Sequence, residues 1–299
     1  MRFLTLTSVF GVFGFGASFA LFKKPYDFRA EGYQDSVARA RIYPMAAAAY
    51  SDEPEKCVQN AFGSPAEVVG KTSVPCDFTK DACFGFVVVS HADHAIIISF
   101  RGTVSVLEMN QVLDNINFKH EKFVGGGKCG AFFINAFNDL WNGGLKDFYL
   151  TARNKYPEYQ IWVTGHNTGG SLASIASAFM IYQKQASADQ LLLVTVGQPR
   201  TGNHEYAAAH DKLVRHTYRV DHGNDKIAHL PCLNFEGYYH HGQEIWYNND
   251  MKGPNYRTCK EGEDSYCSDQ NNDNDMVKNY YYYDVAMSVV DWGRNGCML

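Results

Sequence analysis

Apolar and polar positions along the chain fall into two periods. Phe86–Ser90 and Ala95–Phe100 are short β-branched runs split by the polar stretch His91–His94, which predicts a hairpin. From about Ala131 to Lys155 apolar residues recur at helical spacing, interrupted at Gly143-Gly144, and Pro157 closes the pattern. Ile161–Thr164 predicts a short strand, Gly169–Gln183 an apolar helix and Leu191–Val196 a strand buried on both faces. Strand, helix and strand at this spacing make a βαβ unit, so the sheet is expected to be parallel there. Farther on, His216–Val220 predicts another strand, Glu244–Tyr247 an edge strand, Ser268–Asp275 a polar surface loop and Tyr280–Trp292 a helix. No repeat of 20–50 residues and no linker is visible, which points to one α/β domain over residues 21–299.

Composition adds three constraints. The 299 residues are 45% hydrophobic and 14% aromatic, enough for a large core, and the net charge of −5 carries no basic surplus for nucleic acid. Residues 1–20 open with Arg2, continue uncharged and end in Ser18-Phe19-Ala20. This reads as a signal peptide cleaved after Ala20, with a signal anchor as the rival. All eight cysteines lie beyond it, and an even number in an exported chain points to disulfides. Short spacings favour Cys76–Cys83 and Cys259–Cys267; the other pairings stay open at this point. Cys232, His240 and His241 fit no common zinc-ligand spacing, so neither a metal nor a cofactor is expected.

Candidate chemistry concentrates in VTGHNTGG, residues 163–170. Glycines 165, 169 and 170 allow a sharp strand-to-helix turn. Backbone N–H groups at the new helix start then face the space beside the apex, where an oxyanion can be held. A hydrolase presents serine there in G-x-S-x-G; this chain has Asn167.

Together with FRGT (100–103), LLLVTVGQPRTGN (191–203), YRVDHGNDKIAHLP (218–231) and HHGQEIWY (240–247), the turn resembles the class 3, fungal-type lipase family over roughly residues 35–299. The resemblance implies an α/β-hydrolase fold with a mixed, mostly parallel sheet of about eight strands flanked by helices, and a Ser-Asp-His triad. It implies that the nucleophile position falls on Asn167 and that Asp225 is the retained acid. The base position falls on Asn279, in the segment Lys278–Tyr283. Thr103 and the backbone N–H of Thr168 correspond to the oxyanion donors. Cys57 with Cys297 and Cys259 with Cys267 correspond to family disulfides, which leaves Cys129 and Cys232 as an extra pair. Ser105–Phe118 falls at the lid position. His166, His229 and His241 match structural or peripheral positions.

A carboxamide cannot be activated by a neighbouring base as a hydroxyl can. The expectation is therefore a secreted lipase-like protein of lipid metabolism that no longer hydrolyses. It would bind a lipid or acyl ester, or touch a lipid surface peripherally. The alternative is an active lipid-ester hydrolase with a non-standard nucleophile, for instance Asn167 deamidated to aspartate.

Overall fold

The computed structural model describes residues 25–63, 65–75, 82–104, 119–270 and 275–298. The expected leader, residues 1–20, and the expected lid, 105–118, lie outside them.

Eight strands form the central sheet, and their spatial order follows the chain. They are β1 (Ala66–Pro75), β2 (Ala82–Ser90), β3 (Ala95–Phe100), β4 (Gln160–His166), β5 (Leu191–Val196), β6 (His216–His222), β7 (Gln243–Tyr247) and β8 (Arg257–Cys259). The first three are an antiparallel meander, β3 through β7 are parallel, and β8 closes the far edge antiparallel. Glu244–Tyr247 is therefore not an edge strand, because Arg257–Cys259 pairs on its outer side. The hairpin around His91–His94 is as expected, but its first arm reaches back to Ala82.

Alternation assigns each strand's side chains to one of two cores. Val87, Val89, Ile96, Ile98, Ile161, Val163, Leu191 and Leu193 enter one. Phe86, Val88, Ala95, Ile97, Trp162, Leu192 and Val194 enter the other. Because both faces are covered, the parallel strands read as continuous apolar runs rather than alternating ones.

The helices used below are α1 (Tyr43–Ala48), α2 (Glu55–Phe62), α3 (Ala131–Leu140), α4 (Lys146–Lys155), α5 (Thr168–Tyr182), α6 (His204–Leu213) and α7 (Val289–Arg294). The predicted break at Gly143-Gly144 is a π-turn between α3 and α4, with Gly144 at φ 129°. Tyr280–Trp292 is not one helix: a 3-10 turn ends at Tyr280, and α7 starts only at Val289. Tyr283 and Asp284 have left-handed backbones, at φ 56° and 58°. The hydroxyl of Tyr282 is drawn to Asp225 and that of Tyr283 to Tyr33, two partners no single helical face reaches.

Disulfides join Cys57 to Cys297 and Cys259 to Cys267. Cys83 is also disulfide-bonded, and Cys76, its expected partner, lies outside the described residues. Cys129 and Cys232 are not a pair but two free thiols. Cys129 points into the core and Cys232 into solvent, so their sulfurs face different environments.

Register places the functional end of the sheet. Phe100 pairs with Gly165, His166 with Val196, and Val196 with Val220, so the loops that leave β3, β4, β5 and β6 emerge at one level. In parallel α/β sheets this carboxyl edge is where ligands bind.

Candidate functional site

At the centre of that edge the chain turns from β4 into α5 through one residue, Asn167, at φ 58° and ψ −129°. Asparagine is among the few non-glycine residues that adopt positive φ readily. The turn also needs close backbone approach: a Cβ on Gly169 would lie 2.3 Å from the Phe100 carbonyl oxygen. Asn167 is 1% exposed, so its carboxamide must find partners within the protein.

It finds them in a line. Asn167 Nδ2 donates to Asn279 Oδ1 at 2.8 Å, and Asn279 Nδ2 donates to Asp225 Oδ2 at 2.7 Å. At the other end, Asn167 Oδ1 accepts the Thr168 backbone N–H at 2.6 Å. The direction of this chain is forced. Asn279 Nδ2 also lies 3.2 Å from the Gly197 carbonyl, which can only accept, so the amide nitrogen faces Asp225 and Gly197. The Asn279 oxygen then faces Asn167, which must answer with its nitrogen and turn its oxygen to the Thr168 N–H.

Asp225 accepts from the Tyr282 hydroxyl at 2.7 Å and from the Ile227 backbone N–H at 2.8 Å, besides Asn279. Burial nevertheless pushes its carboxyl up to about 7, against the opposing pull of these donors. Gly197, at φ 55°, is packed beneath the cluster. A Cβ there would lie 2.4 Å from Asn279 Nδ2 and 2.8 Å from Asp225 Oδ2.

The structure thus brings Asn167, Asn279 and Asp225 together in one hydrogen-bonded row. Thr103, 1% exposed, lies in the segment that leaves β3. The Thr168 N–H is in place but occupied by Asn167 itself.

Two supports hold the row: His166, read from the sequence as structural but without its partners, and Tyr282, which sequence reasoning missed. His166 holds the Asn279 segment: its Nε2 faces the Asn279 carbonyl at 2.5 Å and its Nδ1 faces the Tyr50 hydroxyl at 2.7 Å. The carbonyl can only accept, so Nε2 carries the proton and Nδ1 accepts from tyrosine. Burial pulls the His166 pKa down to about 4. Tyr282 is the second, and only the run of four tyrosines at 280–283 hinted at it. His229 and His240 bind the carbonyls of Asp225 and Ala228. Among the described residues no imidazole hydrogen-bonds the Asn167 side chain.

With this geometry in hand, comparison with known proteins is decisive. Residues 97–235 match the family described as lipase (class 3). The chain is 30% identical to Lipase ZK262.3 of Caenorhabditis elegans over 98% of its own length and 87% of that protein's. The chain belongs to the class 3 lipase family. This family member also superposes on the lipase of Rhizopus microsporus var. chinensis with a TM-score of 0.73 and 25% identity, covering 87% of this chain and 90% of that one. Lipase II of Rhizopus niveus gives 0.72 and 25%, over 83% and 93% of the two chains. The match to the secreted mono- and diacylglycerol lipase 1 of Fusarium solani is 29% identical and spans 48% of that protein. No helix among the described residues is long and apolar enough to cross a membrane.

Proposed function

We propose that this class 3 lipase-family protein is a secreted pseudoenzyme that binds fatty acyl chains or acyl esters without cleaving them. One observation carries the reading: the row Asn167–Asn279–Asp225 runs where the family's serine, histidine and aspartate are expected, and its first two members are carboxamides. An amide nitrogen is delocalised into its carbonyl and has no lone pair to attack with. The Asn279 oxygen is too weak a base to replace imidazole.

The self-contact of the apex removes a third element. In a comparable hydrolase, losing the triad lowers kcat by about 10⁶, while oxyanion hole and binding alone keep roughly 10³–10⁴ over water. Here the Asn167 oxygen already fills the Thr168 N–H, and one lost oxyanion donor is worth about 10²–10³ more.

Binding is supported by exposed apolar side chains that neighbour Asp225 and Asn279 in the chain. Leu233 and Phe235 follow the Asp225 loop, and Val277 and Tyr281 flank Asn279; all four are large, apolar and exposed. Exposed apolar side chains of this size suit a lipid surface or acyl chain. Export is supported by the disulfides and by the secreted relative in Fusarium solani.

The test is hydrolysis of p-nitrophenyl butyrate by the purified mature protein, with fluorophosphonate labelling and fluorescent fatty-acid binding beside it. No turnover, no label and saturable binding are expected. Turnover that Asn167→Ala abolishes would overturn the reading.

A further inference from the structure

A second cluster lies outside the row, where α6 meets the loop that enters β7. His210 is fully buried, and neither of its ring nitrogens has a hydrogen-bond partner among the described residues. His241 is 1% exposed and its Nδ1 is likewise unpartnered. Buried polar atoms left in this condition are rare and unfavourable, so three on two neighbouring rings ask for a missing partner. Asp211 completes the group, with one oxygen accepting the Gly242 N–H at 2.6 Å. One ligand atom from each of the three residues lies within 4.8 Å of the others.

We propose that His210, Asp211 and His241 bind a divalent transition-metal ion of the zinc class. Two imidazoles and a carboxylate are a donor set that suits zinc, with a fourth position left for water or a small anion. The surroundings already orient one ligand. The Ser174 hydroxyl lies 2.8 Å and the Gln198 amide 3.0 Å from His241 Nε2; with the amide turned so that its otherwise unpartnered oxygen accepts there, Nε2 carries the proton and the Nδ1 lone pair is directed at the ion. Arg219 lies close by, but Asp221 and Glu244 balance its charge. The two rings are stacked, with centroids 3.6 Å apart, so one turns about its Cβ–Cγ bond as the ion enters. The ligands are 31 residues apart in the chain (241 − 210), which hides the site from any local motif.

The experiment uses the full mature chain stripped of metal and dialysed against zinc, with cobalt(II) as the spectroscopic probe. About one equivalent of zinc, visible cobalt d–d bands and a higher melting midpoint with zinc are expected. Asp211→Asn keeps an oxygen for the Gly242 N–H and lies at the surface, so it leaves the metal-free melting midpoint nearly unchanged. It is expected to weaken zinc binding about 10-fold or more. His210→Gln removes an imidazole and abolishes the cobalt bands. The proposal is overturned if no saturable binding is seen, or if both variants bind zinc as the parent does, which would mark an adventitious ion only.

Discussion

Replacing Asn167 with serine and Asn279 with histidine tests the row at both carboxamide positions, and the structure ranks the outcomes. Asn167→Ser alone supplies a hydroxyl and releases the Thr168 N–H from its 2.6 Å contact with Asn167 Oδ1. It restores an oxyanion donor, worth about 10²–10³, but no base. Asn279→His alone supplies a base beside Asp225, yet leaves the apex a carboxamide and its N–H occupied, so it stays at the parent's rate. The double variant regains the base as well, and because losing the base alone costs about as much as losing the whole triad, it should exceed Asn167→Ser by about 10⁶, roughly 8 kcal/mol in transition-state stabilisation. The existing contacts of 2.8 and 2.7 Å along the row are within reach of a serine–imidazole–carboxylate relay. Initial rates on p-nitrophenyl butyrate, taken on proteins shown to be folded by circular dichroism, give the ranking. A folded double variant that stays inert would refute the assignment of Asn279. So would a single Asn279→His that turns over on its own.

Three further outcomes follow from the packing. Gly197→Ala forces a Cβ into the 2.4 Å gap to Asn279 Nδ2 at a positive φ, and urea unfolding should show a loss of about 3 kcal/mol. His166 is neutral in the fold down to a pKa of about 4 but takes up a proton near 6.5 when unfolded. Its contribution is therefore complete above pH 6.5 and is lost as the pH falls toward 4. Between pH 7 and 5 the parent should lose about 2 kcal/mol more than His166→Gln, a difference in which the shared carboxylates cancel. The Cys57–Cys297 disulfide closes a loop of 240 residues. Replacing both cysteines with serine should lower unfolding free energy by about 2–5 kcal/mol, read from denaturant unfolding in which the m-value rises as the uncrosslinked denatured chain expands.

Much of the scaffold was legible because it rests on periodicity. Leu191–Val196 was predicted to the residue, and the glycine break before Lys146 appears as a π-turn. The errors share a cause. Whether Gln243–Tyr247 is an edge depends on a three-residue strand, Arg257–Cys259, too short to carry a pattern. The tyrosines after 280 look like an apolar helix face, but their hydroxyls bind partners in opposite directions and unwind the backbone. At the site, identities pointed to Asn167, Asp225 and Asn279, whereas the direction of each amide depends on Gly197 and Thr168 and is not encoded in spacing. The free thiols Cys129 and Cys232 were paired by elimination, which ignores where a side chain faces.

The left-handed bend at residue 167 carries a consequence for the energy of the whole molecule. A nucleophile held at φ near 58° normally stores strain, the tension that keeps a reactive group poised. Asparagine keeps that bend but seals the first turn of α5 with its own oxygen, a contact that offsets part of the strain. Quiet chemistry and a calmer backbone then have one origin, and a chain re-armed with serine should melt at a lower temperature than its silent parent.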